Sequence, residues 1–104
     1  MNNKIVKIES KYTNEAVNLF FGYYTSGEVA IQGKTVEDEE LLFVATVALN
    51  EKPADNCVFL KGWAENEGIP EALVKVGIVE FTGRKVKTGF CEAIEAKLLI
   101  SFPE

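Results

Sequence analysis

Alternating apolar and polar residues in the first quarter of the chain predict β-strands. Residues 3–9 (NKIVKIE) alternate weakly and predict a first strand. Residues 15–24 (EAVNLFFGYY) allow a short helix at positions 13–17, but their aromatic content favours a second strand. The aromatic residues are Phe20, Phe21, Tyr23 and Tyr24. One face of this group is expected in the core, and the other face must be either covered or offered to a partner.

The middle of the chain predicts a hairpin, a charged loop and an apolar strand. A turn signal at 25–28 (TSGE) precedes a short strand at 29–32 (VAIQ), so residues 17–32 predict a β-hairpin. Residues 33–40 (GKTVEDEE) follow as a loop. Residues 41–49 (LLFVATVAL) are apolar on both faces, and they predict a central strand that is covered on both sides.

One segment carries clear helix signals, and it predicts the main helix at about residues 66–76. Pro70 falls in the first helical turn, where proline is tolerated. Gly77 is placed to end the helix in a left-handed conformation. In that arrangement Ile78 packs back on Leu73, as the Schellman motif requires.

The remaining segments alternate between loops and strands. A proline-containing loop is predicted at 50–56, a short strand at 58–61, a further strand at 78–82, a link at 83–89 and a long last strand at 90–102. The apolar face of that last strand holds Ile94, Ala96, Leu98, Ile100 and Phe102. The opposite face holds Glu95, Lys97 and Ser101.

Taken together, these elements predict a single α+β domain over residues 1–104. We expect a mostly antiparallel β-sheet of about six to seven strands with one main helix. A chain of 104 residues buries enough surface to fold without a disulfide or a structural metal. Because nothing in the sequence indicates an oxidising compartment, Cys57 and Cys91 are expected to be free, buried thiols. A disulfide between them would require such a compartment and a close approach of the two residues across the core.

Neither a membrane span nor a secretion signal is visible in the sequence. No apolar run approaches the ~18 residues that a spanning helix needs, and the segment MNNKIVKIES lacks the apolar centre of a signal peptide. We therefore expect a cytoplasmic protein that does not contact a membrane.

The residue types needed for most catalytic and metal sites are missing. The chain has no histidine, which is the commonest general base and metal ligand. Two cysteines without histidine do not make a standard zinc site, and no phosphate-binding glycine loop is present. We expect no catalytic residue, no cofactor and no metal. A carboxylate-based enzyme is the one catalytic class left open, but the acids at 37–40 lack a scaffold that holds them together and lack the ligand spacing of a calcium loop.

Negative charge is concentrated in the middle third of the chain. The whole chain has a formal net charge of −5. Residues 37–71 hold nine carboxylates against two lysines, hence −7, while the remaining residues are close to neutral. Such a band repels nucleic acid, so no strong nucleic-acid binding is expected, and it suits a basic protein surface.

Two groups of charged residues are candidates for partner binding. The acidic group with its nearby tryptophan consists of Glu37, Asp38, Glu39, Glu40, Trp63, Glu65 and Glu67. The simplest interpretation of the run at 37–40 is a solvated loop, and Trp63 is either a core residue or an interface anchor. A secondary basic candidate is formed by Arg84, Lys85 and Lys87, which either bind an acidic group or merely solvate a link.

Several short segments together resemble a known family. The segments are VAIQ (29–32), FVATVALNE (43–51), ENEGIPEALVKVGIV (65–79), TGR (82–84) and TGFCEAIEAKLL (88–99). They resemble small uncharacterised proteins that conjugative transposons, plasmids and phages of Gram-positive gut bacteria carry. The family has no assigned active-site residues, so none is transferred to this chain. The loop at 33–40 is longer than the usual turn of the family.

The resemblance implies a mobile genetic element as the setting. Small acidic proteins of such elements often inhibit host defence, as anti-CRISPR proteins do. They commonly occupy a basic nucleic-acid channel of a nuclease. The expected function is therefore a non-enzymatic inhibitor that binds a type II CRISPR effector or its guide assembly. The alternative is an accessory module that binds another protein of the element and has no role in defence.

Overall fold

The computed structural model describes residues 2–100. Within this range the chain forms seven β-strands, one α-helix and one short 3₁₀ turn. The strands are β1 (Asn2–Glu9), β2 (Asn14–Tyr23), β3 (Val29–Thr35), β4 (Leu41–Val44), β5 (Cys57–Leu60), β6 (Val79–Thr88) and β7 (Cys91–Leu98). The 3₁₀ turn spans Ala64–Asn66, and helix α1 spans Ile69–Lys75.

The strands of the described chain form two antiparallel sheets. The first sheet has four strands in the order β1-β2-β3-β4, and the second has three in the order β5-β7-β6. A single bridge between Thr46 and Leu60 connects the two sheets. The predicted mostly antiparallel α+β class is therefore confirmed, but the strands are divided between two sheets and do not form one.

The core lies between the two sheets and helix α1. Val17, Leu19 and Ile31 on the inner face of the first sheet are fully buried. They belong to the same cluster as Leu60 of the second sheet and Leu73 of the helix. Each such side chain contributes about 1.5–3 kcal/mol through removal of its apolar surface from water. The outer face of the first sheet does not contribute to this core.

The aromatic residues of β2 divide between the two faces of the first sheet. Phe21 is buried on the inner face. Phe20 is half-buried on the outer face, with the ammonium of Lys34 4.7 Å from its ring centre. Tyr24 follows β2, and its hydroxyl lies 2.9 Å from Oγ1 of Thr46. The expectation that one face of this group enters the core is therefore confirmed.

The predicted loop at 33–40 is wrong in its first part. Residues 33–35 belong to β3, and only residues 36–40 connect it to β4. Gly33 is a strand residue because it pairs with Leu19 of β2 and with Phe43 of β4, and the Phe43 ring packs directly on its backbone. A Cβ atom built at Gly33 would lie 2.3 Å from Cζ of Phe43, so any side chain there would force the Phe43 ring to move.

The predicted central strand at 41–49 is also wrong. β4 covers only Leu41–Val44 and lies at the edge of the first sheet, and Leu41 is 57% exposed. The chain then crosses to the second sheet, where Thr46 bridges to Leu60. The run is apolar throughout because its residues serve two sheets in turn, not because both faces of one strand are buried.

Helix α1 is shorter than predicted, although its end is as expected. It begins at Ile69 because Gly68 has φ 89°, a left-handed conformation that separates the helix from the preceding 3₁₀ turn. At the other end Gly77 has φ 81° and donates to the carbonyl of Val74 at 3.0 Å. Ile78 donates to the carbonyl of Leu73 at 3.0 Å, which completes the predicted Schellman motif.

The last two strands also differ from the prediction. The predicted link at 83–89 belongs mostly to β6, which continues to Thr88 after an irregularity between Phe81 and Lys85. β7 spans Cys91–Leu98, and the predicted members Ser101 and Phe102 lie outside the described residues. On the face expected to be polar, Glu95 is only 4% exposed.

The two cysteines are free, but they are half-buried and far from each other. Cys57 pairs with Lys97, and Cys91 lies six residues further along β7. That separation corresponds to about 20 Å along a strand. An intramolecular disulfide requires Cα atoms closer than about 7 Å and is therefore excluded in this fold.

Candidate functional site

The acidic connection between β3 and β4 is held by the backbone and side chain of Thr35. The Thr35 amide donates to the carbonyl of Glu40 at 2.9 Å, and the Glu39 amide donates to the carbonyl of Thr35 at 3.2 Å. The Glu40 amide also donates to Oγ1 of Thr35 at 3.0 Å. Glu39 takes a left-handed φ of 55° to close this turn. These hydrogen bonds fix the backbone of the turn, and none of them involves a carboxylate of residues 37–40.

All four carboxylates of the turn face solvent. Residues 36–40 are exposed. Within residues 2–100, none of the carboxylates at 37–40 forms a salt bridge. Their charge is therefore available to a partner, while the backbone that carries them is fixed by internal hydrogen bonds.

A depression lies beside this turn, on the outer face of the first sheet. Its volume is about 480 Å³. Its apolar floor is formed by Ile5, Ala16 and Val36, and its remaining lining consists of Thr35, Glu15, Glu37 and Asp38. We call these seven residues the acidic groove. Ile5 is 56% exposed, so the floor is open to solvent and available for contact.

The acidic groove contains half of the predicted acidic run together with one acid that the sequence analysis missed. Glu37 and Asp38 line it, whereas Glu39 and Glu40 do not. Glu15 joins them because Val17 pairs with Thr35, which places the first residues of β2 beside the turn. The position of Glu15 beside the turn follows only from the pairing register of β2 and β3, which the sequence pattern alone does not give.

The other predicted members of the acidic group, Trp63, Glu65 and Glu67, do not line the groove. Glu67 forms a salt bridge with Lys11, with a Nζ–Oε1 distance of 3.3 Å, and its carbonyl accepts from the Lys11 amide. The hydrogen bond to Glu67 raises the pKa of Lys11. Glu65 is exposed, and Trp63 is half-buried immediately before the 3₁₀ turn. Trp63 is thus neither a fully buried core residue nor a fully exposed anchor.

Only part of the secondary basic candidate is available for binding. The Arg84 guanidinium forms ion pairs with Glu51 and Glu95, so its charge is compensated within the chain. Lys85 and Lys87 are exposed on β6. The predicted cluster is therefore reduced to two lysines.

Glu95 is the buried charge that the sequence analysis placed on a polar face. Its carboxylate accepts from the Ala54 amide at 3.0 Å, from the Thr82 hydroxyl at 2.8 Å and from Nη1 of Arg84 at 2.9 Å. These donors, led by the Ala54 amide, lower the pKa of Glu95. The Arg84 guanidinium also lies 5.6 Å from the ring centre of Phe59. With its acceptors occupied, Glu95 ties the loop after residue 50 to the second sheet.

A larger cleft of about 560 Å³ lies between the β2–β3 turn and the segment before β5. Lys52 crosses it and donates to the carbonyl of Ser26 at 3.1 Å. Cys57 also lines it, and burial raises the pKa of this thiol. A raised pKa lowers the fraction of nucleophilic thiolate, so the cleft does not contain an activated cysteine.

Comparisons with protein-family models, curated proteins and solved structures find no match to this chain. The interpretation of the site therefore depends on the geometry of the chain itself.

Within residues 2–100, no three acidic or cysteine side chains come together in a way that could hold a metal ion. In the same part of the chain, no helix has the length and apolar composition that crossing a bilayer requires.

Proposed function

We propose that this chain is a non-enzymatic binding protein that docks its acidic groove on a basic protein surface. The observation that carries the proposal is the combination of an apolar floor with unpaired carboxylates on a turn fixed by Thr35. A turn whose backbone is already fixed loses little backbone freedom when it binds, so more of the interaction energy is kept as affinity.

Arginine and lysine are the residue types that fit such a groove. The exposed carboxylates of Glu37 and Asp38 accept charge-assisted hydrogen bonds, and an arginine makes them in pairs. Glu15 adds negative charge at the start of β2 beside them. The aliphatic stem of the same side chain covers apolar surface such as Ile5 and Val36. Charge then speeds association, and contact with the floor slows dissociation.

The mobile-element setting implied by the resemblance gives the specific form of the proposal. The partner is a type II CRISPR effector nuclease or its guide assembly, and the chain acts as its inhibitor. The nucleic-acid channel of such a nuclease is lined by lysine and arginine. The carboxylates of the groove occupy positions that phosphates would otherwise take. In the alternative, the same groove binds a basic protein of the element and has no role in defence.

A pull-down with a purified type II effector nuclease, with and without its guide RNA, tests the proposal. The test variant carries E15Q, E37Q and D38N, which neutralise the groove rim without changing its shape. The control variant carries E71Q, E80Q and D55N, which remove the same charge from exposed positions elsewhere. We expect about tenfold weaker binding for the groove variant at low salt, a smaller difference at high salt, and unchanged binding for the control.

Each outcome has a distinct meaning. If the groove variant and the control variant lose binding to the nuclease equally, the binding depends only on net charge, and the groove is not the binding site. Binding of the groove variant that equals the parent would also reject the groove. Absence of binding to the nuclease in both guide states would reject the defence role. Groove-dependent binding to a basic protein encoded by the element would then favour the accessory module.

A further inference from the structure

The hairpin formed by β6 and β7 extends beyond the rest of the second sheet. β5 pairs with β7 only between Lys97 and Ile94, whereas β6 and β7 stay paired as far as Thr88 and Cys91. Residues 86–93 therefore form a two-stranded extension, and we call residues 85–93, with Lys85 at the base of this extension, the arm. Its tip is a two-residue turn with Gly89 at φ 67° in the first position.

Phe90 occupies the tip of the arm and is fully exposed, at 109% of its reference area. The turn geometry explains Gly89, but it gives no reason for an aromatic residue at the second position, where small polar residues serve equally well. A fully exposed phenylalanine presents about 150–250 Å² of surface that is stabilised only by contact with another apolar surface. Folding of this chain therefore does not account for Phe90.

The arm and the acidic groove are complementary in both polarity and charge. Phe90 matches the apolar floor, and the exposed lysines Lys85 and Lys87 match the carboxylates of the rim. The lysines alternate with Val86, so they lie on one face of the arm, about 7 Å apart along the strand. An aromatic anchor flanked by charges is the usual composition of an interface centre.

The groove and the arm of one copy lie on opposite sides of the molecule's first sheet. Ile5 and Ala16 lie on its outer face, because they alternate with the inward-facing Val6 and Val17. The arm belongs to the second sheet, which packs on the inner face through the core. A contact between arm and groove therefore forms between copies.

We propose that the arm of one copy inserts Phe90 into the acidic groove of a second copy. The contact is heterologous, because it joins two different surfaces. Each copy then still offers one free arm and one free groove, so the assembly grows into a ring or an open chain. Self-association also covers the groove and so competes with any other basic partner. The inference uses the groove of the proposed function, but it does not require the nuclease.

Sedimentation velocity over a concentration series is the first test. The parent is expected to form species larger than a dimer as its concentration rises, and to form less of them at high salt. Phe90→Ser is expected to raise the dissociation constant about tenfold or more. Tyr12→Ser is the control, since Tyr12 is an exposed aromatic residue, at 62%, outside the arm. Serine is compatible with the turn, and a thermal melt of each variant verifies the fold.

Mixing two variants tests the heterologous geometry. One variant has an inactive arm (Phe90→Ser with Lys87→Glu), and the other has an inactive groove (E15Q, E37Q and D38N). Each alone is expected to be monomeric, and their mixture is expected to stop at a one-to-one dimer, because only one intact arm and one intact groove remain.

Three results would overturn the proposal. They are a parent that stays monomeric at every soluble concentration, a Phe90→Ser variant that associates like the parent, and a mixture that forms no dimer. These results do not depend on the nuclease pull-down. A monomeric parent whose groove still binds the nuclease would reject self-association alone, and an associating parent without nuclease binding would reject the defence role alone.

Discussion

Replacing Glu95 by alanine removes the acceptor shared by the Ala54 amide, the Thr82 hydroxyl and the Arg84 guanidinium. Breaking a fully buried ion pair costs about 3–5 kcal/mol. The cost here is lower, because the Arg84 side chain is 43% exposed and keeps its ion pair with Glu51. We therefore expect Glu95→Ala to lower the free energy of unfolding by about 2 kcal/mol, which corresponds to roughly 8–15 °C in Tm for a domain of this size.

Two matched variants separate charge from geometry. In Glu95→Gln a carbonyl oxygen remains to accept from Ala54 and Arg84. The glutamine amide donates to the Thr82 hydroxyl, so this hydroxyl becomes the acceptor of that hydrogen bond instead of its donor. The loss is then confined to the charge, and we expect about 1 kcal/mol. Glu51→Ala removes the exposed partner of Arg84, at 52% side-chain exposure, and should cost only about 0.2–1 kcal/mol. Urea unfolding followed by tryptophan fluorescence and circular dichroism measures all three.

The pH dependence of the free energy of unfolding independently tests the contribution of the Glu95 carboxylate. The pKa of Glu95 is lowered in the folded state, chiefly by the Ala54 amide. Its stabilising contribution is therefore fully present above the pKa of an unfolded glutamate, about 4.3, and is lost as the pH falls through the folded value. The difference between the parent and Glu95→Gln should shrink in that acidic window. A constant difference, or a Glu51→Ala variant as unstable as Glu95→Ala, would refute the reasoning.

Three further predictions concern the fold. Gly77→Ala should cost about 1 kcal/mol, because alanine disfavours the left-handed conformation at φ 81°, and a thermal melt equal to that of the parent would contradict the helix cap. Gly33→Ala should cost about 1–3 kcal/mol through its clash with Phe43, whereas Gly22→Ala, whose Cβ meets nothing within 4 Å, is the control in the same melts. Mild oxidation should leave Cys57 and Cys91 without an intramolecular disulfide, so any disulfide seen on a non-reducing gel should be intermolecular.

The parts of the fold that sequence reasoning predicted are those with local causes. The hairpin of β2 and β3 has a turn signal between two β-prone segments, and the end of α1 has a glycine that must be left-handed. The predicted start of α1 is wrong because Gly68 takes a second left-handed conformation, which separates the helix from the 3₁₀ turn. The Gly68 backbone passes the main chain of Ser10, and a Cβ at Gly68 would lie 3.2 Å from the Ser10 Cα. That contact is remote in sequence, so no local pattern indicates it.

The wrong predictions have tertiary causes as well. An apolar run that serves two sheets has the same composition as a central strand, so residues 41–49 were misassigned. The pattern at 83–89 predicts a link, yet the irregularity between Phe81 and Lys85 places Arg84 beside Glu95 of the neighbouring strand. The acidic groove was only half predicted for a similar reason. Glu37 and Asp38 stand out in the sequence, whereas Glu15 and Ile5 join them only through strand pairing.

In both the acidic turn at 36–40 and the arm, the proposed binding side chains are separate from the residues that fix the backbone. This separation makes the binding proposals testable. The backbone and hydroxyl of Thr35 fix the turn at 36–40, and the left-handed Gly89 fixes the tip of the arm. The side chains of Glu37, Asp38 and Phe90 project into solvent without supporting the fold. Substitutions at these positions should therefore change binding while the free energy of unfolding stays within about 0.5 kcal/mol of the parent. Substitutions at Glu95 should instead lower the free energy of unfolding while binding by the folded protein is unchanged. A groove variant that loses stability as well as binding would show that the carboxylates support the turn, and the separation between scaffold and binding surface would then be wrong.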